Sequence, residues 1–95
     1  MGIHDGKVVI VTGGALGIGG GASRGFAEEG ARVIVADIDP DAGHGAVDEI
    51  KADGGDAAFV QADFSVSADP KRVVDQAVAI YGGLDFVLKN RGIQP

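Results

Sequence analysis

The sequence predicts an α/β fold, an open parallel sheet of four strands alternating with three helices. Three observations predict it: short apolar runs rich in β-branched residues recur along the chain, segments of helical period separate them, and Asp-Pro pairs and glycines stand at the junctions. Apolar runs without alternation mark strands buried on both faces, and strands that alternate with helices imply parallel pairing through right-handed crossovers.

The first strand is Val8–Val11 (VVIV), which ends in Thr-Gly-Gly, and Arg32–Asp37 (RVIVAD) repeats the type. Ala57–Ala62 (AAFVQA) and Leu84–Leu88 (LDFVL) are weaker third and fourth members. Between them, Ala42, Ala46, Val47 and Ile50 share one helical face, and Val73, Val74, Ala77, Val78 and Tyr81 share another. Asp39-Pro40 and Asp69-Pro70 each place a capping carboxylate before a proline at the first helical position. Gly30, Gly54 and Gly82 stand where helices stop. The expected order is β-α-β-α-β-α-β, in a single domain covering residues 1–95.

Composition narrows the function classes. Fourteen acidic against eight basic residues give a net charge of −6, with no Lys/Arg cluster to neutralise a run of phosphates, so a nucleic acid partner is not expected. The absence of cysteine fits a reducing compartment, the N-terminus MGIHDGK has no secretory pattern, and no apolar run approaches bilayer length. A cytoplasmic protein with no membrane partner is the expectation. A domain this short buries only about 60–65% of the surface its unfolded chain exposes, so its stability margin is thin.

The segment TGGALGIGGG (12–21) directly follows the first strand and opens a helix. A phosphate held there needs a sharp turn, exposed N–H groups and no side chain in its path, and Gly13, Gly17 and Gly19 meet those needs. The second strand ends in Asp37, 18 residues beyond Gly19, close to the spacing at which an acid accepts from the adenosine ribose hydroxyls. Its charge would repel the 2′-phosphate of NADP, which favours NAD. Asp37 could instead cap the next helix, but Asp39, beside Pro40, is the better cap.

Four motifs in order carry a family resemblance: TGGALGIG (12–19), EEGARVIVADID (28–39), QADFS (61–65) and LDFVLKNRGI (84–93). Together they resemble the N-terminal, cofactor-binding half of the short-chain dehydrogenase/reductases, from about Gly6 to Ile93. The resemblance implies a Rossmann-like sheet in the order 3-2-1-4. Thr12, Gly13, Gly17 and Gly19 match the family's TGxxxGxG. It also implies that Ile18 covers the pyrophosphate and Asp37 binds the ribose, with Ile38 beside it in the cofactor site. Asp63 and Phe64 would sit against the adenine, and Asn90 and Gly92 would line the cofactor's ribose.

The sequence also departs from that family. Lys89-Asn90-Arg91-Gly92 stands where Asn-Asn-Ala-Gly is expected, so only the second Asn and the Gly match. Gly20, Gly21 and Gly25 lie inside the first helix and weaken it. Arg24 on that helix is expected to face solvent. The family's catalytic serine, tyrosine and lysine belong to the second half of its domain. The single tyrosine here, Tyr81, has Asp85 four residues on and is expected to be a core residue. Ser65 and Ser67 have no neighbouring base, and His4 and His44 make no metal site by spacing. No catalytic residue is therefore assigned. The expected function is the dinucleotide-binding half of an NAD(H)-dependent oxidoreductase, unable to catalyse alone; the alternatives are a non-catalytic nucleotide-binding module or a truncated remnant. An uncovered fourth strand would favour homo-oligomerisation through that edge.

Overall fold

A computed structural model describes residues 6–13, 17–62 and 69–89. The elements run β1 (Val8–Thr12), α1 (Gly17–Glu28), β2 (Arg32–Asp37), α2 (Pro40–Ala52), β3 (Asp56–Gln61), α3 (Asp69–Tyr81) and β4 (Phe86–Lys89). All strand pairs are parallel, in one sheet ordered β3-β2-β1-β4. This is the α/β, Rossmann-like architecture expected from the sequence. The fourth strand begins later than Leu84 because Leu84 packs its side chain under α3 while Asp85 brackets the start of β1. The Asp85 carboxylate accepts from the Val8 amide at 2.8 Å, and the Asp85 amide donates to the Val8 carbonyl at 2.9 Å.

The strand period of two sorts the buried side chains onto two faces. Val9, Val11, Val33, Val35 and Ala57 meet Ala46, Val47 and Ile50 of α2 and the flank of α1. Ile10, Ile34, Ala36 and Val60 meet Val73 and Ala77 of α3. Both faces of the central strands are thus covered, which explains why β1 and β2 read as unbroken apolar runs. Each of these large aliphatic side chains contributes about 1.5–3 kcal/mol by leaving water.

Helix ends follow the local chemistry. Asp39 caps α2, accepting from the amides of Asp41 and Ala42 at 3.0 and 3.3 Å, with Pro40 opening the helix. Gly30, Gly54 and Gly82 follow α1, α2 and α3 with φ of 90°, 89° and 82°. Asp69 is the first residue of α3, and the cap expected of its side chain lies outside the described residues.

One expectation needs correction, and another is met only in part. Val78 does not share the buried face of α3: it is 47% exposed, whereas Val73 and Ala77 are buried. α3 packs over β1 and β2 along the row of residues 73, 77 and 81, and by Val78 the neighbouring row has turned outward. Tyr81 packs against the same core cluster, as expected, but is not closed off by it. It is half-buried, and its hydroxyl donates to the Asp56 carboxylate at 2.8 Å.

Candidate functional site

The sheet has one topological switch point. The chain runs β1, β2, β3 to one side, then returns through α3 to place β4 on the other flank of β1. In open α/β sheets, ligands bind beyond the carboxyl ends of the strands at this reversal. Thr12 ends β1 there, and its hydroxyl donates to the Leu88 carbonyl at 3.3 Å, adding a side-chain bond to the β1–β4 pairing at the carboxyl end of the sheet.

Gly13 follows with φ of 63°. A side chain at that backbone angle would be strained, so glycine is what lets the chain leave the sheet at this step. Its amide donates to the Ala36 carbonyl at 2.7 Å and so extends the β1–β2 ladder. The amides suited to an anion therefore come later. Gly17, Ile18 and Gly19 form the first turn of α1, whose N–H groups have no partner within the helix. That turn contains no acidic residue, whereas α2 fills its own N-terminus with Asp39 and Asp41. The positive end of the α1 dipole is therefore not offset by an acid of its own first turn. The side chain of Ile18, expected over a pyrophosphate, lies outside the described residues.

Asp37 ends β2 one step beyond the Thr12–Ala36 pair, beside Gly13. It is half-buried, and its Oδ1 accepts from the Asp39 amide at 3.1 Å. Asp39 caps α2 as expected, and Asp37 is the last residue of β2. Ile38, next along, is 59% exposed.

Gly13, the first turn of α1, Asp37 and Ile38 are brought to one end of the sheet. Asp63, Phe64, Asn90 and Gly92, the other residues assigned to the cofactor, lie outside the described residues, as do Arg91, Ser65, Ser67 and His4. Arg24 points outward and pairs with Glu49 at 3.4 Å across α1 and α2. His44 is exposed, with its ring 4.8 Å from that of Phe59. Among the described residues, no group of three or more His, Cys, Asp or Glu could hold a metal ion, and no helix is long and apolar enough to cross a membrane.

Tyr81 lies at the opposite end of the sheet from the glycine turn, with Arg32 and Asp56 at the starts of β2 and β3. The Arg32 guanidinium stands 5.8 Å from the Tyr81 ring centre and 3.9 Å from the Asp56 carboxylate. Partial burial, then the hydrogen bond to Asp56 and its negative charge, push the phenol above its ordinary value of 10.0, against a smaller opposing effect of Arg32. A phenol so held is a poor proton donor or acceptor at neutral pH. Sequence reasoning missed the contacts of Asp85, Gln61 and Arg72, since polar residues at strand ends carry no periodic signal.

Comparison with known proteins agrees with this geometry. Residues 7–95 match the family described as short chain dehydrogenase. A 2,5-dichloro-2,5-cyclohexadiene-1,4-diol dehydrogenase of Sphingobium indicum is 41% identical over 93% of this chain and 35% of its own length. The sex determination protein tasselseed-2 of Zea mays is 48% identical over 94% of this chain and 26% of its own. Among solved structures, a short chain dehydrogenase from Mycobacterium avium superposes with a TM-score of 0.93 at 40% identity, over 100% of this chain and 36% of that one. A hydroxysteroid dehydrogenase from Escherichia coli gives 0.90 at 37% identity, over 94% and 38%. The chain thus spans roughly a quarter to two-fifths of the length of these relatives.

Proposed function

The chain belongs to the short-chain dehydrogenase family, and from that premise we propose that its 95 residues form the NAD(H)-binding half of an oxidoreductase. The observation that carries the reading is the placement of Asp37 beside the Gly13 turn, with its carboxylate oriented by the Asp39 amide. Asp37 accepts the hydroxyls of the adenosine ribose, Ile38 lies along the base, and the first turn of α1 takes the diphosphate. A 2′-phosphate would meet Asp37 with Asp39 and Asp41 close by in the chain, which disfavours NADP(H).

When bound, a nicotinamide dinucleotide supplies the hydride acceptor or donor. The residues described here hold and orient it. Proton transfer is not assigned to Tyr81, whose hydroxyl is engaged with Asp56 away from the crevice. Hydride transfer is thus assigned to none of the described residues.

Titration with NADH and NADPH, followed by nicotinamide fluorescence and thermal shift, tests the reading. NADH should stabilise the chain and NADPH should do so far less. Asp37→Asn keeps an oxygen for the Asp39 amide but removes the charge, so it should weaken NADH about tenfold, as expected for loss of a charged hydrogen bond, and narrow the gap to NADPH. Equal responses to the two dinucleotides would remove the assignment of Asp37, and no response from a folded chain would remove the function.

A further inference from the structure

The turn that carries Asp37 is braced from the neighbouring strand. Ile38 lies in the bend between β2 and α2, and its carbonyl accepts from the side-chain amide of Gln61 at 3.2 Å. Gln61 ends β3 directly opposite Asp37 in the sheet register. The backbone carbonyl of Gln61 in turn accepts from the guanidinium of Arg72, near the start of α3. One run of hydrogen bonds thus joins α3, the end of β3 and the β2–α2 turn.

The geometry of a single peptide unit makes this run matter. The Ile38 carbonyl and the Asp39 N–H belong to one planar group and point in opposite directions. Gln61 holds the carbonyl end, while the N–H end donates to Asp37 Oδ1 at 3.1 Å. Rotating that plane to release one bond necessarily disturbs the other. We infer that Gln61 is a positioning residue for the cofactor site: by holding the Ile38 carbonyl it fixes the peptide plane whose far end aims the Asp37 carboxylate. The inference rests on the assignment of Asp37 to the adenosine ribose. Gln61 touches neither the sugar nor the base in this scheme and acts through the turn alone.

Gln61→Met tests it, because methionine keeps the length and apolar stem of an exposed side chain while removing the donor. The dissociation constant for NADH should rise roughly three- to tenfold, the range of one net hydrogen bond. The NADPH value should change less, so that the NADPH-to-NADH ratio falls. Amide hydrogen exchange at Asp39, measured without any dinucleotide, should accelerate. A purely structural role would weaken both dinucleotides in proportion and leave the ratio where it was. Normal NADH binding by the unsubstituted chain with an unchanged ratio in Gln61→Met overturns this inference alone, as does unchanged exchange at Asp39. Failure of the unsubstituted chain to bind either dinucleotide overturns the functional reading and this inference with it.

Discussion

Gly43 shows how far a single missing methyl group can set the position of an element. It sits on the buried side of α2, and a Cβ built on it would lie 2.1 Å from Cε1 of Phe59 on β3. Phe59 packs on the valine-rich face of the core and its ring lies 4.8 Å from that of His44, so moving the ring away from α2 would cost contacts. Gly43→Ala should therefore destabilise the chain by about 1–3 kcal/mol through overpacking, despite the better helix propensity of alanine. Urea unfolding reads this directly, and Phe59→Leu in the same chain should recover part of the loss. At this scale the sequence was most legible where one residue's chemistry determines its place. Asp39 next to Pro40 could be read as a cap, and it does cap α2. Gly43 could not be read, because its role depends on an aromatic ring sixteen positions away that only the folded sheet brings against it.

At the scale of the element, α1 and α3 are built to different standards. α1 carries Gly20, Gly21 and Gly25 in its interior, and glycine costs about 0.8–1.0 kcal/mol relative to alanine at such positions. Gly20 is buried, but a Cβ at Gly21 or Gly25 would meet nothing within 4 Å. Gly21→Ala and Gly25→Ala should each stabilise by about 1 kcal/mol, additively, and raise the midpoint of thermal unfolding without altering dinucleotide affinity. α3 instead relies on a polar clamp at its C-terminal end, where Tyr81 reaches Asp56 and Arg32 lies over the ring. The folded state holds the Tyr81 phenol above the 10.0 at which an unfolded tyrosine ionises. Above that pH the unfolded chain releases a proton that the folded chain retains, so this contribution is intact below pH 10.0 and is lost as pH rises further. The difference in unfolding free energy between the unsubstituted chain and Tyr81→Phe should accordingly shrink between about pH 10 and pH 12 and stay level from pH 7 to 9. The helical period located α3, yet it overstated the buried stripe at Val78, because period alone does not say how far a helix rolls on the sheet.

For the whole molecule, topology decides both where the site lies and where the fold is exposed. Runs of β-branched residues, helical spacing for α2 and α3, and the glycine segment that opens α1 were enough to recover all seven elements, and the motif order implied the strand order that places the crevice between β1 and β4. The bracing by Asp85 at the start of β1, and by Thr12 and Gln61 at the opposite, carboxyl end of the sheet, was not legible, because those contacts join residues 77, 76 and 23 positions apart with no local pattern. The same topology gives the sheet two unlike edges. On β3, Ala57 and Val60 are 2% and 6% exposed beneath the flanking helices, whereas on β4 Phe86, Val87 and Leu88 are 48%, 44% and 38% exposed. Pairing with β1 turns Phe86 and Leu88 to the face of Val9 and Val11, and Val87 to the face of Ile10, and among the described residues no helix packs closely along β4. An apolar strand with an open hydrogen-bonding edge is a template for another strand. The 95-residue chain should therefore associate with itself as its concentration rises, and Val87→Lys, which places a charge on this edge, should shift it toward monomer. Sedimentation velocity across a hundredfold range of concentration distinguishes the outcomes: a single monomeric species throughout would mean that the β4 edge is protected by contacts beyond those described.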